Sequence, residues 1–267
     1  MKIGFIGLGN MASAMIGGII KKGIVAPKDI LGSSGTKESV QRAEEAFGIC
    51  GMKSNKEVAG QADILVLAVK PGMYEKVISE IKENIGEETV VISIAPGKTM
   101  QWLSELLKTG DRRAKIVRCM PNTPALVGEG CTGVCFGGGI DEEDKENVMK
   151  ILNSFGKAIE VPENLMDTVV GVSGSSPAYV FLFIEAMADA AVADGMPRKQ
   201  AYEFAAQAVY GSAKMVLETG KHPAELKDMV CSPGGTTIEA VEVLEEKGFR
   251  SAVIDAQRVC VAKSKKV

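Results

Sequence analysis

Short apolar runs recur along the first part of the chain and are separated by polar stretches. Residues 62–69 are almost continuously apolar, as expected of a central strand buried on both faces of a parallel sheet. Strands that alternate with helical stretches predict an α/β domain. The predicted strands are residues 2–6, 29–32, 62–69, 89–94, 115–119, 131–136 and 157–161, with helices up to about residue 22 and over residues 142–155.

Three of these strands end in proline and glycine residues. The third is followed by Lys70, Pro71 and Gly72, the fourth by residues 95–97, and the fifth by residues 120–125. Open α/β sheets bind ligands beyond the carboxyl ends of their strands, so these loops are expected to line one ligand-binding edge. For Lys70 we favour a phosphate-binding or structural role over a catalytic one.

After Pro162 the pattern changes to alanine-rich helices alone, which predicts domains at residues 1–162 and 163–267. Helices are expected over residues 178–194 and 197–220, after Pro223, and from about Arg250. The helix at 178–194 is apolar on most faces and should therefore be buried on most faces. Because a domain of about a hundred residues seldom buries such a helix alone, we expect partner chains to cover it.

A glycine motif joins the first strand to the first helix. Gly7, Gly9 and Ala12 form the pattern G-x-G-x-x-A, with Leu8, Asn10 and Met11 between them. Gly7 permits a tight turn, Gly9 lets the backbone approach a pyrophosphate, and Ala12 lets the helix pack closely. The motif predicts a dinucleotide site, although a purely structural turn has the same pattern.

The end of the second strand bears on the choice of cofactor. Sites that prefer NAD usually place an acid here. After the predicted strand this chain has no acid until Glu38, and the residues between are Ser33, Ser34, Gly35, Thr36 and Lys37. Hydroxyl groups with a lysine could accept a 2′-phosphate. We therefore predict NADPH as the cofactor, with NADH possible.

Charge and cysteine content exclude several classes of function. The 31 basic and 34 acidic residues nearly cancel and form no basic stripe, which argues against a nucleic-acid partner. The 6 cysteines include no CxxC pair and the chain has one histidine, so no metal site is expected.

The start of the chain and its apolar segments bear on its location. Met1 and Lys2 lead directly into a strand, so we expect no signal peptide. Glu185 and Asp189 interrupt the most apolar run, so no membrane span is expected. The prediction is a cytoplasmic protein with reduced thiols.

The segment 226–244 predicts a short helix, a turn over residues 232–235 and a second helix entered through Thr236 and Thr237. Backbone N–H groups at a helix start favour an anion, and Gly234 and Gly235 allow a ligand to approach the backbone. Nearby hydroxyls add donors, so the segment fits a small carboxylate or phosphate. An ordinary helix that these hydroxyls cap has the same pattern, and for Thr237 a capping role could coexist with a role in binding.

Four segments resemble those of the Δ1-pyrroline-5-carboxylate reductase family. They are GFIGLGNMA at 4–12, LAVKP at 67–71, MPNTPA at 120–125 and VCSPGGTTIEAV at 230–241. A fifth, SGSSPAYV at 173–180, has Ser176 where the family commonly has glycine. The resemblance spans almost the whole chain and implies a Rossmann-type domain followed by an all-α dimerisation domain, in a homodimer that often assembles further.

The resemblance also implies residue roles. The substrate site would include Glu163, Ser232, Gly235, Thr236 and Thr237, with Thr237 as the catalytic residue. Met229 stands where some members carry a polar residue near the cofactor. The implied cofactor site comprises Gly7, Leu8, Gly9, Asn10, Met11, Ala12, Ser33, Ser34, Gly35, Asn55, Ala68, Val69, Lys70, Pro71, Ile94, Ala95 and Pro96.

The implied reaction is hydride transfer from NAD(P)H to a cyclic imine that carries a carboxylate, which yields L-proline. A protonated imine needs no histidine acid, which suits a chain whose one histidine is His222. A β-hydroxyacid dehydrogenase is an alternative, but its family has a catalytic lysine on the first long helix of the second domain, and residues 173–194 contain none. A non-enzymatic dinucleotide sensor is a second alternative. Such a sensor would need no pocket for a substrate carboxylate, so the helix start at Thr236 and Thr237 counts against it.

Overall fold

In the computed structural model, which describes residues 1–266, eight strands form one sheet. They are β1 (Ile3–Ile6), β2 (Ile30–Ser33), β3 (Cys50–Gly51), β4 (Ile64–Leu67), β5 (Val90–Ser93), β6 (Lys115–Met120), β7 (Gly130–Phe136) and β8 (Gly156–Glu160). Their order is β3-β2-β1-β4-β5-β6-β7-β8. The first six are parallel, β7 is antiparallel to β6, and β8 is parallel to β7. The predicted Rossmann-type sheet is confirmed, and its strand order reverses between β1 and β4, where such sheets bind dinucleotides.

Helices cover both faces of this sheet because the side chains of each strand alternate between two apolar layers. Phe5 and Val117 point into one layer, which Ile16 of the first helix completes. Leu65 and Leu67 point into the other, against Tyr74. The helices of this part are α1 (Asn10–Lys21), α2 (Lys37–Phe47), α3 (Asn55–Ala59), α4 (Tyr74–Ile81), α5 (Met100–Leu107), α6 (Glu142–Leu152) and α7 (Met166–Val169).

The described residues after Pro162 contain helices and no strands, as the sequence predicts. His222 is the N-cap of the helix Pro223–Val230, where its Nδ1 accepts from the Ala224 N–H at 3.2 Å. Gly220 follows the helix Arg198–Thr219 as its C-cap, in the left-handed conformation with φ +64°. The remaining helices are α8 (Ser176–Ala193), α9 (Arg198–Thr219), α10 (Pro223–Val230), α11 (Thr236–Glu246) and α12 (Phe249–Ser264).

The chain divides into two compact units, Met1–Ser175 together with the C-terminal segment from Cys260, and Ser176–Val259. Residues 163–175 belong to the first unit, and within it Met166 is fully buried against Met120 and Cys135. The domain boundary after Pro162 stays a prediction.

Helix α8 exposes most of its apolar side chains within one chain. Phe181 is 62% exposed and Leu182 67%, while Ala188 is its one buried residue. The helical stretch Glu163–Ala193 is long and apolar enough to cross a membrane by length and composition. Its most apolar window of 18 residues has mean hydropathy 1.4, and 6% of that window is buried. The expectation that Glu185 and Asp189 exclude such a stretch was wrong, because the aliphatic and aromatic residues around them outweigh two carboxylates.

Candidate active site

The ends of four parallel strands lie in one row across the sheet. Ile6 at the end of β1 pairs with Ser33 of β2 and with Leu67 of β4, and Leu67 pairs with Ser93 of β5. The residues that follow each strand therefore emerge at the same edge. The structure brings together there the predicted cofactor residues Gly7, Leu8, Gly9, Asn10, Met11, Ala12, Ser33, Ser34, Gly35, Ala68, Val69, Lys70, Pro71, Ile94, Ala95 and Pro96.

The glycine loop has the shape that a pyrophosphate requires. Gly7 has φ +97°, and a Cβ there would lie 2.6 Å from the Ala68 carbonyl oxygen, so no larger residue fits. Gly9 is the N-cap of α1, and a Cβ there would meet no protein atom within 4 Å. The first N–H groups of α1 point beyond the helix end, as in other helices. Open space above a helix start fits a dinucleotide phosphate.

Hydrogen bonds order the end of β2. Ser33 is 2% exposed, and its hydroxyl donates to Asn55 Oδ1 at 2.8 Å. Asn55 Nδ2 donates to Glu80 Oε2 at 3.0 Å. Thr36 is the N-cap of α2 and accepts from the Ser39 N–H at 3.4 Å, so this hydroxyl, which the sequence suggested for a 2′-phosphate, is engaged in capping.

Tyr74 joins two of the cofactor loops, a role that its sequence context did not indicate. It is fully buried, and its hydroxyl donates to the Leu67 carbonyl at 2.6 Å and accepts from Ser93 at 3.2 Å. Burial raises the pKa of Tyr74 to about 12, so the phenol stays neutral and can donate. The ends of β4 and β5 are therefore bonded through one side chain.

Arg118 was also missed, although a charged residue in the middle of an apolar strand is a visible signal. It is 3% exposed, and its Nη1 donates to Glu163 Oε1 at 3.1 Å. The Met100 N–H, at the start of α5, donates to the same oxygen at 2.6 Å. Glu163 therefore ties β6 to α5, and its predicted contact with substrate stays a prediction.

Asn122 gives the MPNTPA segment a structural role. Its Oδ1 accepts from the Cys131 N–H at 2.8 Å, and its Nδ2 donates to the Ser173 carbonyl at 2.9 Å. This amide is 7% exposed, so the two bonds satisfy a largely buried group. It links the start of β7 to the turn of π-helix at Val170–Gly174.

In the second unit the predicted turn and helix start are present. Gly234 has φ +67°, which favours glycine, and the Gly235 N–H donates to the Ser232 carbonyl at 3.0 Å. A Cβ at Gly235 would lie 2.5 Å from Ser232 Oγ, so a larger residue there would require the Ser232 side chain to move. The N-cap of α11 is Gly235, with no side-chain cap bond. The interpretation that Thr237 caps this helix is therefore wrong, because Thr237 is its second residue.

The start of α11 is open to a ligand. Ser232, Gly234 and Thr236 are exposed, and Thr237 is half-buried. The first N–H groups of α11 lack partners within the helix and favour an anion. The hydroxyls of Ser232 and Thr237 supply a donor and an acceptor each on the same short segment. Met229, where a cofactor contact was in doubt, is 63% exposed.

Two family models match the chain. The model described as "Pyrroline-5-carboxylate reductase dimerisation" covers residues 163–267. The model described as "NADP oxidoreductase coenzyme F420-dependent" covers residues 2–97. The first match begins at the residue after Pro162, where the sequence pattern changes to helices.

Relatives match over nearly their whole lengths. The pyrroline-5-carboxylate reductase of Escherichia coli is 56% identical over 266 residues, covering 100% of this chain and 98% of the relative. That of Methanosarcina acetivorans is 47% identical, covering 96% of this chain and 93% of the relative. A crystal structure of Plasmodium falciparum pyrroline carboxylate reductase with NADP bound superposes with a TM-score of 0.90 at 36% identity, covering 100% of this chain and 97% of that one.

Proposed function

The chain belongs to the pyrroline-5-carboxylate reductase family, and from that premise we propose how its residues carry out the reaction. It is an NAD(P)H-dependent oxidoreductase that reduces Δ1-pyrroline-5-carboxylate to L-proline. Relatives in bacteria, archaea and plants share the name pyrroline-5-carboxylate reductase, which favours this activity over the dehydrogenase and sensor alternatives. The assignment of roles to individual residues is the proposal.

The cofactor occupies the carboxyl edge of the sheet in the first unit, and it supplies the hydride. Gly7 and Gly9 keep side chains away from the pyrophosphate, and the α1 N–H groups bind it. The loops after β4 and β5 complete the site, and Tyr74 holds them together. The NADP named in the Plasmodium structure supports NADPH, as does the lack of an acid at residues 33–37, at and after the end of the second strand.

The substrate carboxylate binds at the start of α11. The observation that carries this proposal is a helix N-terminus that glycine caps, with open space around Gly234 and two hydroxyls beside it. N–H groups of Gly235 and Thr236 hold the carboxylate, and Ser232 adds a hydrogen bond. The Thr237 hydroxyl bonds the ring nitrogen and orients it or passes it a proton.

Glu163 contributes to substrate binding through one oxygen only. Its Oε1 already accepts from Arg118 and from Met100, which uses both lone pairs of that atom. Oε2 is left for the substrate. A protonated imine is a cation, so a nearby carboxylate favours it over the neutral form.

The protein acts as a homodimer in the cytoplasm, with larger assemblies of dimers possible. The dimerisation family model supports the pairing, as do the exposed Phe181 and Leu182 of α8. A second copy that covers these side chains removes them from water, and the same pairing explains an apolar helix without a membrane. No nucleic-acid or membrane partner is proposed.

The proposed function is tested by following oxidation of NADPH and of NADH with Δ1-pyrroline-5-carboxylate and with a six-membered ring analogue. We expect turnover with the five-membered imine, formation of proline in equal amount, and a higher kcat/KM with NADPH. Absence of imine-dependent oxidation with either cofactor in a folded protein would contradict the proposal. A kcat/KM for NADH equal to that for NADPH would reject the cofactor preference alone.

A further inference from the structure

Glu80 lies against the amide of Asn55, a contact between residues 25 positions apart. Asn55 accepts from Ser33 through Oδ1 and donates to Glu80 through Nδ2, at 2.8 Å and 3.0 Å. Because the oxygen and the nitrogen each have a partner of the right kind, the amide has one orientation. A chain of hydrogen bonds from Ser33 therefore ends on a carboxylate.

Ser33 marks the place where the fold receives the adenosine ribose. It is the last residue of β2, the strand whose end contacts the ribose 2′ position in dinucleotide-binding sheets. Its hydroxyl is neutral and buried, so it cannot itself distinguish a 2′-hydroxyl from a 2′-phosphate by charge. Charged groups near Ser33 must provide that distinction.

Resting on the dinucleotide site proposed above, we propose that Glu80 is a specificity-determining residue that limits the preference for NADPH over NADH. Two successive hydrogen bonds place its carboxylate within about 8 Å of the Ser33 hydroxyl. That span is close to the Debye length of about 8 Å at physiological ionic strength, so screening is incomplete. The carboxylate repels the 2′-phosphate of NADPH and has little effect on NADH, which lacks it.

Lys37 acts in the opposite direction. It follows Ser33 by four positions, is exposed, and begins α2. Its ammonium group attracts the phosphate that Glu80 repels, so the cofactor preference is a difference between two charges. Sequence alone shows the lysine but not the carboxylate, because Glu80 comes from the helix that follows β4.

The test is Glu80→Gln, which keeps an oxygen to accept from Asn55 and removes the charge. We expect the ratio of kcat/KM for NADPH to that for NADH to rise roughly three- to thirtyfold, mainly through a lower KM for NADPH. Raising the salt concentration should reduce the difference between variant and parent. The matched control is Glu83→Gln, an exposed residue three positions further along that loses the same charge and should leave the ratio within about twofold.

Direct binding separates this inference from the function on which it rests. Each cofactor is titrated into the parent and the variant without imine, with fluorescence as the signal. If both cofactors bind but Glu80→Gln leaves the ratio of the two Kd values at the parent value, the role of Glu80 is overturned and the cofactor site stands. If neither cofactor binds the folded parent, the proposed function itself fails.

Discussion

At the scale of single residues, the two motif glycines serve different needs. A side chain at Gly7 would collide with the Ala68 carbonyl inside the protein, whereas one at Gly9 would extend into open space. Gly7 is therefore required by the fold, and we propose that Gly9 is required by the dinucleotide that binds above α1. A substitution at Gly9 can thus test the ligand without disturbing the sheet.

Gly9→Val should fold normally and bind NADPH at least about tenfold more weakly, a loss of about 1.4 kcal/mol or more, because the new side chain occupies the pyrophosphate position. Fluorescence titration measures Kd. Gly138→Val is the control, since Gly138 is equally open and lies in the loop after β7. Parent-like binding by a folded Gly9→Val protein would remove the pyrophosphate from this loop.

Because of Tyr74, the stability of the first unit should decrease at alkaline pH. Burial raises its pKa from 10.0 to about 12. The unfolded chain therefore loses this proton at lower pH than the folded one. The stabilisation is fully present below pH 10 and decreases by about 3 kcal/mol as the pH rises through 12. Tyr74→Phe has no such proton, so its unfolding free energy should fall less than that of the parent between pH 9 and 12, measured by urea titration.

At the scale of elements, the bounds of the seven predicted strands differ from those of the observed strands by no more than two residues. Continuous apolar runs identify buried strands because both faces need apolar side chains. The short β3 was missed, since Cys50 and Gly51 form no run. Contacts between distant positions were missed too: Arg118 and Glu163 are 45 residues apart, and no local pattern connects them.

The site residues divide in the same way. Gly7, Gly9 and the glycine turn before α11 carry local signals, because positive φ angles and close approach require glycine. Tyr74 has none, since its partners depend on how β4 and β5 pair. Thr237 was placed correctly at the helix start but given the wrong structural role, because the N-cap lies two residues earlier.

The ion pair between Arg118 and Glu163 should stabilise the junction of β6 and α5. Glu163→Ala leaves a buried guanidinium without its carboxylate and should lower the unfolding free energy by about 2–4 kcal/mol. This range lies below that of a fully buried pair because Glu163 is 36% exposed. Glu146→Ala removes a carboxylate from an exposed pair with Lys150 and should cost less than about 1 kcal/mol. Equal losses in the two variants, by chemical denaturation, would contradict the structural role.

At the scale of the whole molecule, the apolar surface of α8 predicts a stable homodimer. Sedimentation should give at least twice the chain mass of 28.2 kDa at micromolar concentration. Ala186→Asp introduces a charge on an exposed face of α8 and should weaken association at least about tenfold, because the carboxylate would be buried without a partner. Ala46→Asp, on the exposed side of α2, should not. A monomeric parent would overturn the pairing.

We propose that the Thr237 hydroxyl acts on the imine rather than on the helix. Gly235 occupies the N-cap, so Thr237→Ala should change the unfolding free energy by less than about 0.5 kcal/mol. It should lower kcat roughly ten- to a thousandfold, about 1.4–4 kcal/mol in the transition state. Thr237→Ser should restore most of the rate, whereas Ser232→Ala should mainly raise KM.

The most direct measurement is therefore the steady-state kinetics of pyrroline-5-carboxylate reduction by Thr237→Ala, with its thermal stability measured beside the parent. We expect an unchanged Tm with a kcat reduced at least about tenfold. An unchanged Tm with parent kcat would show that solvent supplies the proton and that Thr237 has no part in the reaction.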